Sequence, residues 1–438
     1  MYRRPPNADH GARQPVSVPV FPPPCRTRTA MTATSAAPLV ILTHVCHPAI
    51  TDGFLPAAHA QGVPVWLLTD HRLDHLAYFR DHPAQAPQRV IECDVFNPLG
   101  VLDVLHDAGI APRAVFSNSD HLQTSTALVA AGFGLPGKDW QVCHAAKNKA
   151  AMRQRLRARG LPCPWFCTLT SGAAVPTDIP WPVVAKPREG VASLDVRHCA
   201  DAAQLQSYLD DLWQRHPQRT VLLEGMLHGP LFTLETLGDG HTLHAIGGFK
   251  VRLSPPPHFV ECEAEWDAHV QTPVIAQALQ QLRAFGVGFG LCHSEFILTD
   301  DGPVLVEINY RSIGDRREFL LDGMFGGQWF SAALAPHLGQ PLPQLHSDRA
   351  HALLRYYVAE RDGELVTASE DHRHHDAHSD VRYRRMRTPG ERIQLSHSNK
   401  DYLGVLSAVA SDAQALQQAV VHAEACLHWR IDNAQVRA

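Results

Sequence analysis

Short apolar runs alternate with helix-like stretches through the first third of the chain. The apolar runs have the length of buried strands, and the stretches between them favour helices. The runs occupy residues 39–43, 63–68, 89–93 and 114–116, and the helix-like stretches occupy 56–61, 98–108 and 120–132. This alternation predicts a small parallel sheet covered by helices. The first run is not followed by Gly-x-Gly-x-x-Gly, so the pattern does not support a dinucleotide site.

The middle and the end of the chain predict a different mixture of elements. A basic helix over 148–159 ends at Gly160, and the prolines at 162 and 164 then favour an extended linker. Further strands are predicted at 181–187, 221–223, 231–237, 353–358, 381–386 and 402–409, and further helices at 272–285 and 413–427. The runs at 221–223 and 231–237 are predicted to form a hairpin around 228–230.

The most informative pattern is a pair of apolar runs that flank Asp300-Asp301-Gly302. This tripeptide predicts a three-residue hairpin loop with Gly302 in the left-handed conformation. Counting outward from that loop gives the predicted cross-strand pairs Thr299–Pro303, Ile297–Leu305 and Glu295–Glu307.

Three oxygen-bearing side chains of this hairpin are predicted to share one face. Because side chains alternate along a strand, Asn309 joins Glu295 and Glu307 on that face. Two opposed carboxylates repel each other unless a positive group lies between them. Hard oxygen ligands of this kind suit Mg²⁺, with Mn²⁺ as an alternative ion, so we interpret the hairpin as a metal–nucleotide site. Taken alone, Glu-Ile-Asn on a strand is more typical of a hairpin whose polar face meets water.

Residues upstream of the hairpin supply candidate phosphate contacts. Lys186 ends a strand, where an ammonium can reach a phosphate, and Gly190 and Ser193 follow it in a loop suited to phosphates. Lys149 is a second cation, in the first turn of the basic helix. A surface lysine beside an ordinary turn, or a solvated helix lysine, stays an open alternative for each. Glu224 ends another strand, before a linker that can offer backbone groups to an adenine edge.

Composition narrows the class of protein. The chain has 438 residues, a formal net charge of −5 and a pI near 6.6, so no basic surplus favours nucleic-acid binding. No apolar run approaches the roughly 20 residues that span a bilayer. Ten cysteines without a Cys-x-x-Cys pair exclude a common zinc spacing and favour a reducing cytoplasm. Residues 1–37 are arginine-rich and proline-rich, and we expect them to be a disordered tail. The histidine-rich segment at 371–378 predicts a solvated loop rather than a metal cluster.

These motifs together resemble the ATP-grasp superfamily of carboxylate–amine ligases over about residues 38–430. The matching motifs are Asn148-Lys-Ala-Ala-Met-Arg153, Val183-Val-Ala-Lys-Pro187, Glu224-Gly-Met-Leu-His-Gly-Pro-Leu-Phe-Thr-Leu-Glu235 and His293-Ser-Glu-Phe through Glu307-Ile-Asn-Tyr-Arg311. The resemblance implies an α/β fold with an α+β lid. It divides the chain into a tail (1–37), a Rossmann-like pre-ATP-grasp domain (38–140), a lid subdomain (141–245), and a core with a C-terminal subdomain (246–438).

The resemblance also implies a role for each candidate residue. Lys149, Lys186 and Ser193 contact ATP phosphates, and Glu224 with the Leu227 backbone holds adenine. Glu295, Glu307 and Asn309 hold Mg²⁺, and Arg311 stabilises the transferring phosphoryl group. The family usually has a glutamate for the ribose hydroxyls where this chain has Leu231, so the mode of ribose binding is in question.

The implied reaction activates a carboxylate as an acyl phosphate and joins it to an amine or a hydroxyl, releasing ADP and phosphate. His293, Lys250, Arg252 and Arg316, with the adjacent Arg317, are candidate substrate contacts that favour an acidic substrate. Siderophore and dipeptide synthesis both fit. A nucleotide-binding pseudoenzyme or sensor and a carboxylase or formyl-phosphate enzyme stay open as alternatives. The expected partners are small-molecule carboxylates and amines, not nucleic acid or membrane, and a homodimer is left open.

Overall fold

The computed structural model describes residues 37–268, 272–347 and 351–432. The tail predicted at 1–37 therefore lies almost entirely outside the described residues. Among the described residues, no helix is both long and apolar enough to cross a membrane. The nine cysteines in these ranges are all free thiols.

The N-terminal part is the predicted parallel sheet with helices around it. Its strands are β1 (Leu39–Leu42), β2 (Val65–Thr69), β3 (Arg89–Glu92) and β4 (Ala114–Phe116), in the order β3-β2-β1-β4, and every pairing is parallel. Its helices, with those that lead into the next part, are α1 (Leu55–Ala60), α2 (Arg72–Asp81), α3 (Pro98–Asp107), α4 (Gln123–Gly132), α5 (Trp140–Lys147) and α6 (Lys149–Ala158). A π-helical segment, Ala49–Phe54, runs directly into α1.

A small antiparallel sheet follows. It contains β5 (Phe166–Leu169), β6 (Val183–Pro187), β7 (Arg197–Cys199) and β8 (Val221–Gly225) in the order β5-β8-β6-β7, with α7 (Ala202–Arg215) between β7 and β8. The apolar side chains Leu205, Tyr208, Leu209 and Leu212 of α7 are buried against this sheet, so one face of the helix fixes its position.

The largest sheet is antiparallel and has nine strands in the order β13-β12-β9-β10-β11-β14-β19-β17-β16. Its strands are β9 (Leu231–Asp239), β10 (Leu243–Leu253), β11 (Glu261–Asp267), β12 (Phe289–Thr299), β13 (Gly302–Asn309), β14 (His351–Val358), β16 (His372–His375), β17 (Ser379–Arg385) and β19 (Tyr402–Ala410). A three-stranded sheet joins β15 (Gly363–Ala368), β18 (Arg392–Ile393) and β20 (Trp429–Asp432). The remaining helices are α8 (Pro273–Phe285), α9 (Arg317–Met324), α10 (Trp329–Leu334) and α11 (Ala413–Glu424).

An apolar core connects the parallel sheet to the nine-stranded sheet. Ile41 of β1, Phe249 of β10 and Leu354 of β14 belong to the same buried cluster, and the indole of Trp329 is completely buried within it. The mixed α/β class predicted from the sequence is confirmed.

The hairpin predicted around 228–230 is wrong, because β8 and β9 belong to different sheets. The linker between them packs on the β12–β13 hairpin instead. Leu298 donates its backbone N–H to Pro230 at 3.0 Å, and a Cβ added to Gly229 would lie 1.9 Å from the Leu298 carbonyl oxygen. Only glycine allows this close approach, and the linker passes through it from one sheet to the other.

The histidine-rich segment is exposed, as predicted, but it is not a loop. His372–His375 forms β16 at the edge of the nine-stranded sheet, where it pairs with β17. Its charged and imidazole side chains are of the kind that protect an edge strand from pairing with another chain.

Candidate active site

The β12–β13 hairpin places Glu295 directly opposite Glu307, as predicted. The predicted pairs nearer the turn are wrong, since Thr299 pairs with Gly302 around a two-residue turn. A β-bulge at Val306 inserts one residue into β13 and brings the two glutamates into register. Gly302 has a φ of +112°, a value that strongly favours glycine.

The two glutamates face a cavity of about 410 Å³ that collects most of the predicted nucleotide contacts. The small antiparallel sheet, the loop after β6 and the nine-stranded sheet all contribute to its wall. The predicted residues on that wall are Lys149, Lys186, Ser193, Glu224, Leu227, Arg252, Glu295 and Glu307. Segments more than 100 residues apart in the sequence thus meet in one space of the size that holds a small-molecule ligand.

The two glutamates differ in the charged groups that lie beside them. The Lys149 ammonium lies 2.9 Å from Oε1 of Glu307 and is almost completely buried. Burial acts to raise the pKa of Glu307, but the charge and hydrogen bond of Lys149, together with the charge of Lys186, lower that pKa. Burial raises the pKa of Glu295, and the neighbouring charge of Glu307 adds to the rise. A buried carboxylate that faces a second negative charge is the environment that a divalent cation relieves.

The donor set fits a magnesium ion. Asn309 is buried and pairs with His293, two residues along the same face from the Glu295–Glu307 pair. Two carboxylates and one amide oxygen on one rigid hairpin give hard ligands without a competing thiolate.

A buried network of three charged groups holds Lys186 in place. Its Nζ lies 2.6 Å from Oε2 of Glu224, and Arg153 donates through Nε to the other oxygen at 2.5 Å. Burial acts to raise the pKa of Glu224, but Arg153 and Lys186 lower it to about 2. Glu224 is therefore ionised at neutral pH, and its carboxylate fixes the position of the Lys186 ammonium at the cavity.

The loop after β6 covers one side of the cavity through residues 190–194. Ala192, Ser193 and Asp195 have positive φ angles between 56° and 58°, which non-glycine residues rarely adopt. The Ala192 carbonyl accepts a hydrogen bond from the Asn399 backbone N–H at 3.1 Å, so a C-terminal segment holds the loop. Such a loop presents successive backbone groups to a ligand at low glycine content.

Comparison with known proteins agrees with this geometry. A family model described as an ATP-grasp domain matches residues 146–315. This range is therefore similar to ATP-grasp domains. The matched range includes the two cavity lysines, Glu224 and the complete β12–β13 hairpin, so the predicted ATP-grasp resemblance is confirmed.

The curated relatives cover different shares of the chain. The uncharacterized protein y4rH of Sinorhizobium fredii is 28% identical over 330 residues, which cover 72% of this chain and 68% of that protein. Carnosine synthase 1 of Gallus gallus is 27% identical over 275 residues. That alignment covers 55% of this chain but spans only 29% of the relative's length.

The solved structures confirm the predicted fold. The crystal structure of an L-amino acid ligase from Bacillus licheniformis matches with a TM-score of 0.72 at 18% identity. The match covers 92% of this chain and all of that one, so the similarity extends beyond the ATP-grasp domain to the N-terminal and C-terminal parts.

His293 and Arg311 are two further residues predicted from the sequence. Nδ1 of His293 lies 2.6 Å from Oε1 of Glu235, and its Nε2 lies 3.5 Å from Oε1 of Glu295. Burial acts to lower the pKa of His293, but the charge of Glu235 raises it to about 9. An imidazolium therefore lies beside Glu295 at neutral pH. Arg311 donates from Nη1 to the Ser312 carbonyl at 2.7 Å, and its charge helps to lower the pKa of Asp120 against the effect of burial.

Each of the remaining basic side chains has a partner within the protein. Lys250 borders a neighbouring groove and pairs with Asp267, while Arg252 borders both spaces and pairs with Glu263. The Arg316 guanidinium lies over the Phe319 ring. Arg317 is buried in an ion pair with Glu261 and donates to the Tyr356 hydroxyl at 3.2 Å, so its charge already has a protein partner.

No role of its own was predicted for Arg153, although it is completely buried at the centre of this arrangement. Its guanidinium donates to the carbonyls of Leu305 and Val306 at 2.7 and 2.8 Å, and also to Glu224. One signal was present in the sequence. Arg153 follows Lys149 by four residues on α6, which places both side chains on the same helix face.

Lys186→Met should weaken ATP binding at least about tenfold, which corresponds to about 1.4 kcal/mol. The reason is that Glu224 holds the ammonium at the cavity, and methionine keeps the volume without the charge. Equilibrium titration with ATP measures the change. The control is Lys250→Met, because the Lys250 side chain is 66% exposed in the neighbouring groove. Equal ATP affinity in wild type and Lys186→Met would remove this lysine from the nucleotide site.

Proposed function

We propose that this protein is an ATP-dependent ligase that joins a carboxylate to an amine and releases ADP and phosphate. The observation that carries the proposal is the Glu295–Glu307 pair, which faces a cavity whose wall also holds the buried ammonium groups of Lys149 and Lys186. This combination matches the charge of a nucleoside triphosphate with its metal. The ATP-grasp domain match supports the same ligand.

The proposed roles follow from the positions of the side chains. Lys186 and Lys149 neutralise phosphate charge, and the loop at 190–194 encloses the phosphates. Glu295, Glu307 and Asn309 hold Mg²⁺ or Mn²⁺. When bound, the metal offsets the charge that collects on the phosphate oxygens during phosphoryl transfer.

The chemical step that we propose begins with a substrate carboxylate oxygen, which attacks the terminal phosphorus of ATP. The bond from that phosphorus to the bridging oxygen breaks, and ADP leaves with the electron pair. The amine then attacks the acyl carbon, loses a proton, and displaces phosphate. Enclosure by the loop and the small antiparallel sheet protects the acyl phosphate from water.

The substrates are proposed to be an amino acid or a related small acid and an amine. The guanidinium groups of Arg311 and Arg316 offer positive charge to a carboxylate, whereas the imidazolium of His293 already pairs with Glu235. The names of two similar proteins, a carnosine synthase and an L-amino acid ligase, favour amino-acid substrates over the hydroxy-polycarboxylates of siderophore pathways.

A hydroxylamine trap tests this function directly. The full-length protein is supplied with ATP, Mg²⁺, hydroxylamine and single amino acids or small carboxylic acids, and hydroxamate and ADP are measured together. We expect one carboxylate class to yield both products in equal amounts, with neither formed when ATP is left out.

Three results would contradict the proposal. ATP binding without turnover on any carboxylate would indicate a nucleotide sensor. Leu231 on the cavity wall favours this alternative, because the family usually has a ribose-binding glutamate at that position. ADP release driven by bicarbonate would indicate a carboxylase, and release driven by formate would indicate a formyl-phosphate enzyme.

A further inference from the structure

A cluster of two histidines and one aspartate lies at the carboxyl edge of the parallel sheet, outside the ATP-grasp domain. His44 follows the end of β1 by two residues, Asp70 directly follows β2, and His71 precedes the first residue of α2. One ligand atom from each of these three side chains lies within 4.8 Å of the other two. The adjacent parallel strands β1 and β2 bring these segments together at the edge where such sheets bind ligands.

We propose that His44, Asp70 and His71 bind a divalent metal ion of the zinc class. Imidazole nitrogens favour zinc and its neighbours over magnesium, while one carboxylate adds charge. The ligand atoms around tetrahedral zinc lie about 3.4 Å apart when the bonds are about 2.1 Å long. The three side chains are between 28% and 38% exposed, so rotation about their side-chain bonds can adjust the spacing to that value. Three protein ligands leave a fourth position for water or another small molecule.

A carboxylate outside the proposed ligand set already orients the His71 ring. Nδ1 of His71 lies 3.2 Å from Asp74, while Nδ1 of His44 lies 2.8 Å from both oxygens of its fellow ligand Asp70. A carboxylate on one ring nitrogen fixes the tautomer and raises the basicity of the other nitrogen. In this arrangement His71 presents Nε2, and Asp74 acts as its positioning residue.

The backbone around the cluster is also fixed. The buried Thr69 hydroxyl donates to the His44 carbonyl at 2.8 Å and accepts from the His71 N–H at 3.0 Å. The completely buried His75 lies with Nε2 3.3 Å from the same His44 carbonyl. The ring centroids of His44 and His71 are 4.5 Å apart in an edge-to-face arrangement. Two loops are thus held in register before any ion binds, which lowers the ordering cost of binding.

Competition against a chromophoric chelator tests the site. Metal-free full-length protein is titrated with Zn²⁺ in excess Mg²⁺, and the wild type is compared with His71→Ala. We expect the variant to lose one equivalent of bound zinc. The matched control is His374→Ala with His375→Ala, because these exposed histidines of β16 are the competing imidazole-rich segment. That control variant should still bind the one equivalent of zinc.

A milder variant keeps the test independent of folding. The Asp74 side chain is 71% exposed, so Asp74→Asn should leave thermal unfolding unchanged. Zinc affinity should fall about 10- to 100-fold, the usual effect of removing a carboxylate that orients a histidine ligand. Co²⁺ bound in place of zinc should give d–d absorption bands that disappear in His71→Ala. Equal zinc stoichiometry in wild type and His71→Ala, or loss of the equivalent only in the β16 variant, would overturn the site.

Discussion

Glu295→Gln is expected to abolish ADP formation while leaving the protein as stable as the wild type or slightly more stable. The loss of activity should be at least about 100-fold, comparable to the removal of one transition-state contact. Stability is retained because the Glu295 carboxylate is buried and faces the charge of Glu307, so the neutral amide removes a repulsion. Steady-state ADP release and thermal unfolding, both at neutral pH, measure the two effects.

Glu307→Gln is the informative partner of that variant, because its activity should fall equally but its stability should fall as well. The sequence alone predicts nearly unchanged unfolding for this substitution. The structure alters that expectation, since Glu307 neutralises the buried ammonium of Lys149 at 2.9 Å. Loss of a hydrogen bond between charged groups costs about 1.5–3 kcal/mol.

The control for both variants is Asp301→Asn, which removes a carboxylate from the exposed tip of the same hairpin. It should leave activity and unfolding unchanged. Full ADP release by either glutamine variant would contradict the metal assignment. An equal change of stability in both would contradict the unequal charge environment of the two glutamates.

The Glu295–Glu307 pair could be predicted from the sequence only because two errors in the predicted register cancel. The turn has two residues rather than three, which shifts every pair near it by one position. The bulge at Val306 then adds the missing residue. Alternation along a strand reveals which residues share a face, but a bulge depends on distant partners. Here those partners include Arg153, 153 residues before Val306 in the chain.

The strands of the parallel sheet were predicted close to their observed bounds, whereas one of the helices around it was not predicted. The strand Ala114–Phe116 agrees with its predicted bounds because all three side chains are buried. Helix α2 was missed, since only His75 and Phe79 of its ten residues are buried and the others give no apolar stripe. The same helix begins beside the metal cluster proposed above. Because the sequence pattern did not predict α2, it did not predict the position of His71 either.

The candidate nucleotide-binding residues could be predicted individually from the sequence, but the contacts between them could not. Lys186 and Glu224 each end a strand, and the sequence gives no reason to pair them. In the structure β6 and β8 are antiparallel neighbours, with Lys186 opposite Leu222 and Val184 opposite Glu224. This pairing brings the two charged side chains within reach of each other, where Arg153 of α6 completes the network.

Arg153→Met is expected to lower both stability and metal affinity. Methionine fills most of the space but leaves the carbonyls of Leu305 and Val306 and one oxygen of Glu224 without their donor. Breaking a buried charge network from one side costs about 3–5 kcal/mol, so the unfolding temperature should fall by several degrees. The control is Gln154→Met, an exposed position next to it on α6.

The effect on the metal should be separable from the loss of stability. Because Arg153 holds the bulge that brings Glu307 opposite Glu295, a loosened bulge should raise the Mg²⁺ concentration for half-maximal ADP release about 10- to 100-fold. Arg153→Lys keeps a positive charge near Glu224, but a single ammonium cannot reach three acceptors in the same geometry. It should therefore recover part of the stability and little of the Mg²⁺ affinity. An unchanged Mg²⁺ requirement in both variants, measured well below their unfolding temperatures, would show that the bulge forms without this arginine.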